Sequence, residues 1–158
     1  AEGCLHTASQ HGHLSICKFL ISQGADKDSK DRNGGTPISV AAQNRQYKVC
    51  DYFLQLGANI NLCDINNISP LYHLCEDGNL GMVDKFIAAG ADVNAEGCLQ
   101  IALDLYYNDV AQTLIRHHVD VNKVKVQCEK FNQRNNHYDI SVVQKQNCPH
   151  ECFQDWIT

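Results

Sequence analysis

Apolar side chains return along this chain with two superposed periods. The shorter is helical: Ile38, Ala41 and Ala42, then Val49, Tyr52, Phe53 and Leu54, then Met82, Phe86 and Ile87 fall three and four positions apart, on one face of a helix. The longer is a repeat of the whole pattern. Leu5, Ile38 and Leu71 lie 33 residues apart, and so do Ile16, Val49 and Met82. Gly24-Ala25-Asp26, Gly57-Ala58-Asn59 and Gly90-Ala91-Asp92 keep the same interval. A fourth unit with Leu99, Ala102, Val110, Leu114 and His118-Val119-Asp120 follows after 28, the shortfall lying between Asn94 and Leu99. Ala1-Glu2-Gly3-Cys4-Leu5 returns as Ala95-Glu96-Gly97-Cys98-Leu99, so the first and fourth units open alike.

Polar and special residues punctuate each unit in the same order. Asn33-Gly34 is turn chemistry, Thr36 caps a helix and Pro37 suits its first turn. Ser69-Pro70-Leu71 repeats that grammar. Gly57 and Gly90 follow the second helix, where a left-handed residue belongs. The pattern predicts helix pairs over 4–10 and 14–22, 37–44 and 47–55, 70–76 and 80–88, and 98–105 and 108–116. A unit this short cannot bury its apolar face alone, so neighbours must stack.

Gly3-Cys4-Leu5-His6-Thr7-Ala8, His11-Gly12-His13-Leu14, Gly35-Thr36-Pro37-Ile38-Ser39-Val40-Ala41-Ala42 and Gly90-Ala91-Asp92-Val93-Asn94 resemble the ankyrin repeat. The resemblance covers residues 1–122, as units of about 1–28, 29–61, 62–94 and 95–122. It implies an all-α solenoid of stacked antiparallel helix pairs with short hairpin fingers along one edge. Units one and four depart from it in lacking the Thr-Pro pair, and unit four lacks most of a finger. Residues 123–158 lose the pattern, and are expected to form a degenerate C-terminal cap or the start of a further region.

Charge and composition narrow the function. The net charge is −5, which argues against a nucleic-acid footprint. Residues 123–158 carry 5 basic and 4 acidic side chains, so the net negative charge lies in the first 122. No apolar run approaches the roughly 18 residues of a membrane span. The chain begins without Met and is expected to be part of a longer one. Nine cysteines, odd in number and mostly inside apolar stretches, fit a reducing compartment, cytoplasmic or nuclear, better than a disulfide scaffold.

Catalytic signatures are missing: there is no phosphate-cradling glycine loop, nucleophile elbow, kinase signature or zinc-protease helix. No catalytic residue and no cofactor is expected. Cys128, His137, Cys148, His150 and Cys152 offer sulfur and nitrogen ligands, but their spacing lacks a paired-cysteine knuckle. They are expected to be ordinary thiols and imidazoles, with a zinc-stabilised module as the alternative.

The resemblance also implies roles for particular residues. His6 stands where ankyrin repeats carry a histidine that ties one unit's loop to the next. Asn94, and next Asn61, match the asparagine that cellular hydroxylases modify in such repeats; a local turn role is the simpler expectation. A protein or peptide would dock on the concave face, formed by the first helices and the fingers. Mapped here, the helical part is Thr7, Gln10 and His11; Val40, Gln43 and Asn44; His73, Glu76 and Asp77; and Ile101, Asp104 and Leu105. The fingers add Lys30, Arg32 and Asn33, and then Ile65 and Asn66. Packing of the repeat is expected to leave these side chains free. An acidic centre with apolar neighbours suits a basic partner with an apolar anchor. The expected function is therefore a scaffold or adaptor module for protein–protein interaction, not an enzyme. A substrate-recruiting fragment of a larger enzyme is the alternative.

Overall fold

The computed structural model describes residues 3–117. Among the described residues there are eight helices and no strand: α1 (Cys4–Gln10), α2 (Leu14–Ser22), α3 (Pro37–Gln43), α4 (Tyr47–Gln55), α5 (Pro70–Asp77), α6 (Leu80–Ala88), α7 (Cys98–Asp104) and α8 (Asn108–Arg116). The limits match those expected from the pattern to within one residue. Positions 118–158, with His118, the expected cap and the five candidate metal ligands, lie outside the described residues.

Local chemistry starts the helices where the sequence places them. The Thr36 hydroxyl accepts the Ser39 N–H, and Ser69 does the same for Tyr72; Pro37 and Pro70 follow as first helical residues. Gly3 and Gly97 precede α1 and α7 without a side-chain cap. Those two helices depend on packing instead. Gly57 is left-handed after α4, with φ +64°.

First helices stack α1 on α3, α3 on α5 and α5 on α7, while each also packs on its own second helix. Small residues (Ala8, Ala41, Ala42 and Ala102) let them approach, and Ile38, Leu71, Leu74 and Leu99 fill the seam. Cys17, Val49, Cys50, Phe53, Val83, Phe86, Val110 and Leu114 carry the same core along the second helices.

The turn inside each pair needs one left-handed residue. Gly12, Arg45, Gly78 and Tyr106 fill it in successive units, with φ between +59° and +73°. Gly78 has a second reason to be glycine, because the Tyr107 ring lies where its Cβ would stand. Arg45 and Tyr106 adopt the conformation at a cost of roughly 1–2 kcal/mol.

Side chains knit one unit to the next. His6 Nε2 lies 3.0 Å from the Ser29 carbonyl and 3.1 Å from that of Gly35. Both partners are acceptors, so Nε2 carries the proton, and the histidine ties unit one to the following loop as expected. Asp28 Oδ1 accepts the Asn59 N–H at 2.8 Å, and Asn61, one repeat later, accepts the Asp92 N–H at 2.8 Å. Asn61 Nδ2 donates to the Gly90 carbonyl as well. Its carboxamide is therefore part of the loop-to-loop ladder. Asn94 holds the same register position, one unit on.

Candidate interaction face

The fingers are built by aspartate. Asp31 Oδ1 accepts the N–H groups of Asn33 and Gly35 at 2.8 Å each, and Asp64 Oδ1 accepts those of Asn66 and Ile68 at 2.8 and 2.9 Å. One carboxylate thus closes each tip as a tight turn. Adjacent tips are joined by Ile65 N–H donating to the Asn33 carbonyl at 2.9 Å, and by Lys30 Nζ donating to the Cys63 carbonyl at 3.1 Å. Arg32, Asn33, Ile65 and Asn66 remain exposed. Lys30 does too, but its ammonium already has a carbonyl partner.

Along the helices, Thr7, Gln10, His11, Gln43, Glu76, Asp104 and Leu105 are exposed; Val40, Asn44, His73 and Ile101 are half-buried. His11 packs its ring on His13 (5.9 Å between centroids), and its Nδ1 lies 2.9 Å from the Thr7 carbonyl. Asn44 Nδ2 donates to the Val40 carbonyl. Gln100 Nε2 donates to Asp104 Oδ1 at 2.7 Å, which holds that carboxylate out from the end of α7.

Asp77 is a correction. Its side chain is only 11% exposed, one oxygen meeting the Arg45 guanidinium and the other accepting the Tyr47 hydroxyl. Both partners belong to the preceding unit, so the carboxylate serves unit-to-unit packing and is not left free. His73 is also less available than its register implied. Burial pushes its imidazole below the ordinary value, against the opposing pull of Glu76, whose Oε2 lies 3.7 Å from Nδ1.

Glu76 and Asp104 occupy equivalent positions near the ends of the stacked helices α5 and α7. Tyr72 reports their field: burial pushes its phenol up first, and the Glu76, Cys98 and Asp104 charges push it further. Next to this acidic pair is an apolar patch of which the sequence indicated Leu105 but not the two tyrosines that follow it. Leu105, Tyr106 and Tyr107 form the turn from α7 to α8, and Tyr106 is 52% exposed. The signal was present in the sequence as two aromatics at the position of Gly78-Asn79 in the unit before.

Among the described residues no three His, Cys, Asp or Glu side chains gather as metal ligands. The six cysteines described are all unbridged. Burial, and secondarily the Asp51 charge, pushes the Cys50 thiol up to about 12. Cys75 is driven up by the hydrogen bond it shares with Cys98 and then by burial. Such thiols keep their protons and behave as small apolar groups. No helix among the described residues is long and apolar enough to cross a membrane.

Residues 2–64 match the family model described as ankyrin repeats (3 copies). Over 41 residues the chain is 39% identical to the NF-kappa-B inhibitor cactus of Drosophila yakuba and, equally, to that of Drosophila melanogaster. The matched segment is 25% of this chain and 8% of each relative, so the likeness concerns repeat units and not whole proteins.

Proposed function

We propose that this chain is a scaffold or adaptor module, because residues 2–64 match the model of ankyrin repeats and such repeats bind proteins. On this reading it takes a basic protein or peptide segment along the first helices and fingers. The observation that carries the partner's chemistry is the pairing of Glu76 and Asp104 with the exposed Leu105 and Tyr106 beside them. Two carboxylates on neighbouring helices favour Arg or Lys, and the turn supplies apolar and aromatic surface for an adjacent anchor. Tyr106 is kept in a left-handed conformation that glycine would adopt without strain, which supports a use for its side chain. The cactus proteins are named for inhibiting another protein, a role of the same general kind. The reading assigns the chain no chemistry of its own. Unbridged thiols packed in the core suit a reducing compartment, cytoplasmic or nuclear.

The test selects peptides from a random display library and measures the affinity of the best binders. Enriched sequences are expected to carry Arg or Lys beside a large apolar residue. Glu76→Lys with Asp104→Lys is expected to weaken them at least tenfold, about 1.4 kcal/mol, and to slow association most. Asp51→Lys with Asp84→Lys on the second helices is expected to have little effect. Loss of binding in the second-helix pair with a silent Glu76/Asp104 pair places the partner on the other side and overturns the proposal.

A further inference from the structure

The first helix pair differs systematically from its three successors. Ile16 is 48% exposed, whereas its register mates Val49, Met82 and Val110 are buried. Leu20 is half-buried where Phe53, Phe86 and Leu114 are fully buried. Cys4 is exposed where Pro37, Pro70 and Cys98 are buried, and Phe19, one turn from Ile16, is 61% exposed. A terminal unit that faces water is expected to have a polar outer face. Unit one carries the side chains of an internal unit.

An internal control lies within the same chain, because Gly3-Cys4-Leu5 and Gly97-Cys98-Leu99 are the same tripeptide in the same register. At the second site the preceding pair covers it. A Cβ on Gly97 would stand 3.0 Å from the Tyr72 ring, and Cys98 Sγ lies 3.8 Å from Ser69 Oγ. At the first site no atom of the described residues lies within 4 Å of the equivalent point on Gly3. Identical residues are thus buried or bare according to whether a helix pair is stacked ahead of them. Charge points the same way, since α1 and α2 hold one charged residue, Lys18, and its ammonium sits over the Tyr52 ring of the following unit.

We propose that the outer face of α1 and α2 is a docking surface for one further helix pair of this same repeat type. It stacks ahead of α1 as α5 and α6 stack ahead of α7 and α8. The occupant follows from continuity with the α1–α3, α3–α5 and α5–α7 seams, and from the lack of charge for a polar partner to meet. The inference is independent of what the concave face binds.

The test joins a second copy of residues 62–94 ahead of Ala1 in the full chain, which recreates the sequence junction found before Ala95. Alkylation of Cys4, followed by mass spectrometry, is expected to slow at least tenfold, towards the behaviour of Cys98, and the melting temperature to rise. Ile16→Asp is expected to cancel both effects in the extended chain while leaving the melting temperature of the original chain unchanged. Equal alkylation of Cys4 in the two chains overturns the proposal, and so does an added pair that gives no increase in helical circular dichroism. Concentration-dependent protection of Cys4 in the original chain, with a dimer in sedimentation, also overturns it, because a second copy would then be the occupant.

Discussion

At Asp77 a mostly buried carboxylate is held by one partner that is itself exposed and one that is half-buried. Arg45 is 71% exposed, so its ion pair contributes about 1 kcal/mol or less. The Tyr47 hydroxyl bond, made to a charged acceptor away from water, is worth about 1.5–3 kcal/mol. Tyr47→Phe is therefore expected to destabilise by about that amount in urea titrations. Arg45→Gly is expected to be close to neutral, since losing the pair is offset by release from the left-handed backbone. His73 gives a pH dependence of definite sign. Burial lowers its folded value below the ordinary 6.5, with Glu76 and Asp64 opposing. The unfolded chain then binds the proton more readily, so the contribution is fully present above about pH 6.5 and is lost as pH falls through the folded value. Between pH 7.5 and 5, the wild type is expected to lose more melting temperature than His73→Gln.

For the helices, stability divides between caps and anchors. Thr36→Ala removes the acceptor for Ser39 N–H and is expected to cost about 1 kcal/mol. Phe53 and Phe86 are fully buried, and truncating either to Ala is expected to cost about 3–5 kcal/mol, read from denaturant midpoints. The loops depend on α1 in turn. His6→Ala leaves the Ser29 and Gly35 carbonyls without their imidazole donor, at an expected cost of about 1–3 kcal/mol.

Among the described residues, the main helix contacts run within a pair and between successive pairs, α1 on α3, α3 on α5 and α5 on α7, with α2 on α4 and α6 on α8. Stability is then a sum of unit and interface contributions, and damage to one unit weakens its neighbours more than distant ones. Phe53→Ala is expected to lower amide-exchange protection in α1 and α2 and in α5 and α6, with a smaller change in α7 and α8. Uniform loss of protection along the chain would show a single cooperative unit instead.

The sequence by itself determined the helices, their ends and the core, because all three depend on interactions within a few residues or on a period that repeats. A threonine before a proline caps a helix wherever it stands, and a 33-residue interval fixes which apolar side chains share a seam. The histidine tie was readable too, through the family resemblance of the first unit. Tertiary structure decided which polar side chains on the outer faces already have partners. Asp77 meets Arg45 and Tyr47, Lys30 meets the Cys63 carbonyl, and Tyr107 covers Gly78, each across a unit boundary. Such contacts depend on how one helix pair is rotated and offset against the next, which no single unit encodes. The same stacking decides why Cys98 is buried while Cys4, in the same tripeptide, is exposed: burial in a solenoid belongs to the interface between units.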